Sequence, residues 1–404
     1  MSDKFKVVCI KCSCEQSAKY SPFCEKCGSL TEAVFDLSKV TLKDSANPYE
    51  RYFDLIPVKD RELLPKKAAM TPMIHSQSLG DRLGLQNLFL KDETANPTGT
   101  TKYRMAAVSL PYLFESGVRH FCTSSTGNSS TAYAYLLRLI PDLEMSLFTG
   151  SEFRSRVNYV PSQQLTHYIL HDASFAEAFN AAAVFAQKMN FTSERGFFNL
   201  GRREGLKLAL LESVDQIQQP IDWYVQAVSS AMGVYGCYKA SEELQRLGIV
   251  QKRPKLLCAQ QDSCSPMVKA WNENSPVIKQ EHIVKNPQGI AKAILRGDPT
   301  KVYPYMKQIV DQSGGVFTSA TEAEIREAKD IILELEGLSI CFSAATAVAA
   351  VIKLAKQGRF DAKETIVINL TGSDRRYDSV PEDVCHLKKI KGDWLPFEAR
   401  RSGS

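Results

Sequence analysis

The chain has 404 residues, of which 44% are hydrophobic and 24% are charged. This length and composition exclude a small disulfide-stapled scaffold and a disordered chain, and they favour two or three domains with substantial cores. Fifty Lys and Arg residues against 45 Asp and Glu residues give a net charge of +5, which is too small and too scattered for a nucleic-acid-binding surface. We therefore expect small molecules or other protein subunits as partners.

The sequence lacks the usual signals of a membrane or secreted protein. No stretch approaches the roughly 18 uninterrupted apolar residues that a membrane-spanning helix needs. The first residues carry charges, and neither an apolar segment nor a small-residue cleavage site follows them. We expect a cytoplasmic protein without a membrane partner.

Residues 1–45 predict a zinc ribbon. Five of the 11 cysteines lie between positions 9 and 27, which indicates a metal module in a reducing compartment and not a disulfide framework. Two Cys-x-x-Cys turns supply the four expected ligands, Cys9, Cys12, Cys24 and Cys27. Four thiolates close a tetrahedral zinc site, so a structural role is expected. A different metal, a redox pair or a metal-free turn remains an alternative, and Cys14 is a further thiol that could replace Cys12.

Beyond residue 46, short apolar runs alternate with longer stretches of helical periodicity. Strands are predicted at 85–90, 119–123, 145–148, 167–170, 223–228, 255–259 and 365–370, and helices at 129–139, 175–188, 203–217, 234–247, 322–335 and 344–356. The alternation predicts an α/β region over 46–404 with parallel sheets covered by helices. We expect this region to form two lobes, a small lobe at roughly 100–200 and a large lobe in the remainder. Ligands in such folds bind at loops beyond the carboxyl ends of the strands.

Lys102 opens a predicted helix after a turn that is rich in Asn, Pro and Gly. The helix dipole disfavours a positive charge in the first turn, so this position favours a neutral amine or an imine. For this segment alone, a solvated lysine after a tight turn is the simpler interpretation.

Five segments carry short motifs in a fixed order along the chain: Asn96-Pro-Thr-Gly-Thr-Thr-Lys102, Ser125-Thr-Gly-Asn-Ser129, Asn199-Leu-Gly-Arg-Arg-Glu-Gly205, Trp223-Tyr-Val-Gln-Ala-Val-Ser-Ser-Ala-Met-Gly233 and Ile368-Asn-Leu-Thr-Gly-Ser373. Together they resemble the fold-type-II enzymes that use pyridoxal phosphate (PLP), and among these the threonine synthase and cysteate synthase branch. The resemblance covers most of the chain. It implies a two-lobed fold like that of the tryptophan synthase β subunit, PLP as the cofactor, and a homodimer.

The resemblance also implies roles for individual residues. Lys102 would be the catalytic residue that forms the Schiff base with PLP, and Asn128 would meet the cofactor's 3-hydroxyl. A hydroxyl from Thr371 or Ser373 would face the ring nitrogen. The loop expected at the cofactor phosphate consists of Ser229, Ser230, Ala231, Met232 and Gly233.

The remaining candidates are expected at the substrate. Guanidinium groups bind phosphate or sulfonate bidentately, although a solvated helix face is an equally good interpretation for any single arginine. The expected substrate carboxylate loop comprises Ser125, Thr126, Gly127 and Ser129, and the candidates for a phosphate or sulfonate are Arg154, Arg156, Asn199, Arg202 and Arg203.

Two positions depart from the family pattern. Phosphate loops are usually glycine-rich because backbone amides must approach the phosphate closely, yet this loop keeps only Gly233 and has Met232 before it. Tyr103 stands where threonine synthases frequently have an acidic residue. These departures leave open whether the loop still binds a cofactor and which substrate the pocket takes.

The resemblance implies an enzyme of threonine synthase type. It would remove a leaving group, namely phosphate, from an amino-acid substrate and add water or another nucleophile. A hydroxyl at the ring nitrogen suits such an elimination better than transamination. The alternatives are a cysteate-synthase-like replacement on O-phosphoserine, a synthase for another nonstandard amino acid, a deaminating ammonia-lyase, and a zinc-ribbon scaffold that has lost its cofactor.

Overall fold

The structure is a computed structural model, and it describes residues 4–17, 19–374 and 383–397. The strands are β1 (Phe5–Cys9), β2 (Thr31–Phe35), β3 (Met73–His75), β4 (Asn87–Asp92), β5 (His120–Ser124), β6 (Glu144–Gly150), β7 (Leu165–Leu170), β8 (Thr192–Ser193), β9 (Trp223–Ala227), β10 (Lys255–Gln261), β11 (Val316–Ala320), β12 (Thr365–Leu370), β13 (Cys385–Ile390) and β14 (Asp393–Pro396). The helices are α1 (Pro48–Arg51), α2 (Gln77–Leu83), α3 (Lys102–Glu115), α4 (Asn128–Leu137), α5 (Phe175–Met189), α6 (Leu200–Leu206), α7 (Leu208–Ile217), α8 (Met232–Arg246), α9 (Pro266–Asn272), α10 (Tyr303–Ser313), α11 (Glu322–Glu336) and α12 (Phe342–Lys356).

The large lobe is built on a sheet with the strand order β11-β10-β9-β12-β4-β3. All its pairs are parallel except β3 with β4. Every residue of β9 and β12 is buried. A strand that is covered on both faces needs a mostly apolar run, which explains why these two strands could be predicted from sequence although Gln226 and Asn369 interrupt them.

The small lobe has a second sheet with the order β14-β13-β7-β6-β5-β8. Strands β5 to β8 fall within the expected range of roughly 100–200. The strand β13 differs, since it pairs in parallel with β7 although it lies near residue 390. Half of its residues are polar, and only Leu387 of the six is buried. A single buried residue gives no period-2 pattern, so this strand was missed and its segment was assigned to the large lobe.

The predicted helix over 203–217 is two helices, because α6 ends at Leu206 and α7 begins at Leu208. Helix α6 packs closely between α3 and α8. A Cβ on Gly205 would lie 2.3 Å from the Arg104 carbonyl oxygen, and one on Gly236 would lie 2.2 Å from that of Arg203. The close approach of three backbones explains the glycines at these two positions.

The N-terminal strands β1 and β2 form an antiparallel pair. This unit packs on the rest of the chain through buried contacts. Arg203 donates to the Thr31 carbonyl oxygen, and the amines of Lys207 and Lys239 lie 4.5 and 4.8 Å from the centre of the Phe35 ring. Among the described residues, no helix is long and apolar enough to cross a membrane.

Candidate active site

A cavity of about 1410 Å³, which includes space open to solvent, lies at the carboxyl ends of several strands. The chain leaves β9 through Val228 into Ser229–Gly233, β12 directly into Thr371 and β5 directly into Ser125. Since β9, β12 and β4 are neighbours in one sheet, their carboxyl ends meet at one edge. Residues from all five motifs therefore line one cavity, namely Lys102, Ser125, Thr126, Asn128, Ser129, Arg202, Ser229, Ser230, Ala231, Met232, Gly233 and Thr371.

Lys102 is the first residue of α3 and lines this cavity. The preceding turn is held by backbone bonds to the strand-end turn after β12, since the Thr101 amide donates to the Thr371 carbonyl at 3.0 Å. Burial and, secondarily, the positive charge of Arg202 lower the pKa of the Lys102 amine from 10.5 to about 8. A substantial fraction of this amine is therefore neutral near physiological pH, as a nucleophile toward an aldehyde must be.

The hydroxyl of Ser125 holds the loop between β5 and α4 in place. Ser125 Oγ accepts hydrogen bonds from the amides of Gly127 at 3.1 Å and Ser130 at 3.2 Å. Gly127 has φ of 131°, and a Cβ there would lie 2.5 Å from the Arg156 carbonyl oxygen. Only glycine fits this position, which places Asn128 at the start of α4 facing the cavity.

The loop between β9 and α8 ends in the N-terminus of a 15-residue helix. Ala231 takes the left-handed conformation with φ of 57°, in a loop where the family pattern favours glycine. A Cβ on Gly233 would lie 2.6 Å from Gln226 Nε2, so the one glycine that is kept packs against β9. The first amides of a helix have no acceptor within it, and together with the dipole they make an anion site.

The two hydroxyls expected near the ring nitrogen lie in different places. Thr371 lines the cavity, whereas Ser373 Oγ donates to the Gly99 carbonyl oxygen at 3.1 Å and lies at a neighbouring cavity with Asp374. Of the two alternatives, Thr371 is the residue that can reach a ligand next to Lys102.

Arg202 lines the cavity, but its guanidinium is bound to Glu194. Its Nε and one terminal nitrogen donate to the two carboxylate oxygens of Glu194, in a bidentate pair. The side chain of Asn199 is fully buried, donates to Ser109 Oγ and Glu194 Oε1 at 2.9 Å each, and accepts from the Gly201 amide at 3.0 Å. Asn199 caps α6 and does not line the cavity, which corrects its expected place at the substrate.

The other arginine candidates also lie outside this cavity. Arg156 lines the neighbouring cavity, and Arg154 precedes it in a short 3-10 helix after β6. Arg203 is buried and donates to the carbonyl oxygens of Phe197 and Thr31, so it ties the ribbon to α6. The spacing of these residues gave no information on which of them point inward.

Sequence reasoning missed several residues of the cavity wall. Of the described residues that line it, five are basic and one, Glu194, is acidic. The three basic residues that were not foreseen are Arg195, Arg296 and Lys301. They come from loops without a recognisable motif, and burial lowers the pKa of Arg296. Five phenylalanines line the same cavity, namely Phe23, Phe175, Phe179, Phe197 and Phe198.

The four predicted thiols come together in the ribbon. Their sulfur atoms all lie within 4.8 Å of one another, with 3.5 Å between those of Cys9 and Cys27 and 3.6 Å between those of Cys12 and Cys24. A zinc ion with Zn–S bonds of about 2.3 Å needs sulfurs about 3.8 Å apart, so the cluster fits tetrahedral zinc. Cys14 lies outside the cluster and donates to the Glu15 carbonyl oxygen.

The cavity residues fit an aldehyde cofactor with an anionic group. Lys102 offers an amine with a lowered pKa, and the start of α8 offers a site for the anion. Ser124 Oγ is buried in the cavity wall without a hydrogen-bond partner in the described part of the chain, which leaves it available to a ligand. An α/β fold with such a site is typical of enzymes that bind an aldehyde cofactor through a lysine.

The chain belongs to the pyridoxal-phosphate dependent enzyme family, whose model matches residues 65–372. It is 28% identical over 397 residues to a threonine synthase from Methanosarcina acetivorans, with 94% of both chains covered. It is 27% identical over 418 residues to a cysteate synthase from Methanosarcina mazei, covering 98% of this chain and 95% of the relative. A serine racemase from Dictyostelium discoideum has the same fold, with a TM-score of 0.60 and 18% identity over 76% of this chain and 94% of that one.

Proposed function

We propose that this protein holds PLP on Lys102 through a Schiff base and uses it to remove phosphate from a phosphorylated amino acid, after which water or another nucleophile adds to the product of elimination. The relatives named threonine synthase and cysteate synthase support this reaction class. The observation that carries the proposal is the buried amine of Lys102, with its lowered pKa, in a cavity whose wall is strongly basic.

Each residue has a role in this scheme. When bound, PLP supplies an electron sink for negative charge that develops at the substrate Cα. Lys102 Nζ would take the proton from that Cα once the substrate amine has replaced it on the cofactor, and the pKa of about 8 of the free amine permits this near neutral pH. Asn128 would orient the cofactor by a hydrogen bond to the cofactor's 3-hydroxyl, and Thr371 would offer a neutral hydroxyl to the ring nitrogen.

Two loops hold the anionic ends of the ligands. The amides and hydroxyls of Ser229–Gly233 bind the cofactor phosphate at the N-terminus of α8. The loop from Ser125 to Ser129 binds the substrate carboxylate.

The leaving group is assigned to phosphate because of the charge in the cavity. Glu194 is neutralised by Arg202, so the charges of Arg195, Arg296 and Lys301 remain for the ligands. A dianionic leaving group is stabilised by nearby cations as it departs. These three residues replace Arg154, Arg156 and Asn199 in the proposal.

The remaining parts of the proposal concern assembly. We propose that Cys9, Cys12, Cys24 and Cys27 hold a structural zinc ion, since their sulfurs have the required spacing. A homodimer in the cytoplasm also stays a prediction.

The test is phosphate release from purified, PLP-loaded protein. O-phosphohomoserine and O-phosphoserine are supplied separately, each with and without sulfite, and the amino-acid products are identified. We expect release from one of the two substrates, loss of release in Lys102→Ala, and normal release in Lys363→Ala, which changes an exposed lysine. No release from either substrate would refute both named reactions.

The product distinguishes the alternatives. Threonine from O-phosphohomoserine supports the threonine synthase reaction, and sulfite-dependent cysteate from O-phosphoserine supports the cysteate synthase reaction. Keto acid and ammonia in place of these products would identify a deaminating lyase.

A further inference from the structure

The N-terminal ribbon supplies part of the cavity wall. Phe23 lies in the ribbon, directly before Cys24, and it lines the same cavity as Lys102. Its ring packs against Phe198 with 4.7 Å between ring centres and 46° between planes. A module whose expected role is structural thus reaches the place where the substrate binds.

The segment that carries Phe23 is also bonded to the polar wall of the cavity. Tyr20 donates from its hydroxyl to the Glu194 carbonyl oxygen at 2.7 Å, and its amide donates to the Ser116 carbonyl oxygen at 3.3 Å. Glu194 holds Arg202, and both line the cavity. The ribbon therefore touches the aromatic side of the wall through Phe23 and the charged side through Tyr20.

Phe23 is directly joined to the thiol cluster. Its peptide bond joins it to Cys24, whose amide donates to the Ser29 carbonyl oxygen at 2.8 Å and whose carbonyl oxygen accepts from the Gly28 amide at 2.9 Å. No helix or strand lies between β1 and β2 in the described part of the ribbon. Coordination of the four thiolates would add a constraint on this loop to its hydrogen bonds, because metal binding contributes folding free energy to such small units.

We propose that the ribbon is a functional wall of the active site, in which Phe23 is a specificity-determining residue that contacts the amino-acid substrate, and that metal loading of the ribbon sets how well this residue is positioned. The inference rests on the proposed function for the identity of the substrate. It extends that function because it makes substrate affinity depend on a metal that takes no part in the chemistry.

The first test compares Phe23→Ala with Phe5→Ala. Phe5 lies in the same ribbon but packs on Phe35, with 6.0 Å between ring centres, and does not line the cavity. We expect Phe23→Ala to raise KM for the amino-acid substrate roughly tenfold with little change in kcat, since it removes ground-state contact. Phe23→Leu should recover most of this loss. An unchanged KM in Phe23→Ala would overturn the inference.

A second readout does not require turnover. Iodide quenching of the bound cofactor's fluorescence reports how open the cavity is, and we expect it to increase in Phe23→Ala but not in Phe5→Ala. If no phosphate is released from any substrate but quenching increases in Phe23→Ala as expected, the result supports the ribbon as part of the cavity wall and refutes the proposed reaction. If phosphate is released normally but neither KM nor quenching changes in Phe23→Ala, the reaction stands and the inference fails.

The metal dependence is tested with Cys24→Ser, using Cys14→Ser as the control because Cys14 lies outside the cluster. Cys24→Ser should lose bound zinc and raise KM and quenching as Phe23→Ala does, and the double variant should be no worse than either alone. Where Cys24→Ser does not fold, Zn²⁺ is titrated into metal-stripped protein, and KM should fall as zinc binds. Zinc loss without a change in KM or quenching would refute the metal dependence.

Discussion

Covalent capture of PLP by the cofactor-free protein, followed over a range of pH, measures the ionisation of Lys102 directly. Burial and the charge of Arg202 lower the pKa of this amine from 10.5 to about 8. At pH 7 the neutral fraction then rises from ~0.03% for an ordinary lysine to ~10%, which is about 300-fold more nucleophile. The rate of capture should rise about tenfold per pH unit up to about pH 8 and level off above it.

The assay is stopped-flow absorbance after mixing PLP with cofactor-free protein between pH 6 and pH 11. A blocked lysine peptide in the same buffers corrects for ionisation of the cofactor itself. Lys102→Met should show no covalent capture. A rate that keeps rising until about pH 10.5 in the wild-type protein would refute the assignment, because it would show a fully solvated amine.

Three substitutions test the backbone and the buried charges by chemical denaturation of the cofactor-free protein. Gly127→Ala should lower the free energy of unfolding by about 2–3 kcal/mol. Gly84→Ala should lower it by less, because Gly84 also has positive φ but has no atom within 4 Å of the position that a Cβ would take. Equal losses in the two variants would contradict the close approach at Gly127. Ala231→Gly should raise it by about 0.5 kcal/mol, since Ala231 has φ of 57°, and a decrease would contradict this. Arg104→Met should lower it by about 3–5 kcal/mol, because buried carboxylates lose their partner, whereas Arg51→Met, in a partly exposed pair, should cost about 1 kcal/mol or less.

The sequence was sufficient where one physical cause dominates. The strand β12 was predicted with its observed bounds because burial on both faces demands a mostly apolar run, which only Thr365 and Asn369 interrupt. The dipole at a helix start disfavours a charged lysine at position 102, but it was the resemblance of five motifs in order that singled this residue out, and it does line the cavity. The four zinc-type cysteines were predicted from spacing alone, and their sulfurs form one cluster.

The sequence was insufficient where a role depends on contacts between distant segments. Nothing local distinguishes Asn199, which caps α6, from an amide that meets a ligand. Arg202 was expected at the substrate, and only the fold reveals that two nitrogens of its guanidinium donate hydrogen bonds to Glu194. Phe23 was not considered because its place in the cavity depends on how the ribbon packs against Phe198.

The pairing of β13 with β7 has a consequence for biosynthesis. Strand β7 ends at Leu170 and its partner begins at Cys385, so more than 200 residues are translated between them. At a translation rate of roughly 5–20 residues per second, the hydrogen-bonding edge of β7 stays unpaired for roughly 10 to 40 s before β13 is synthesised. An uncovered edge invites association with other nascent chains. We expect this interval to be when the protein most needs chaperones, and slowing translation after residue 170 should increase aggregation.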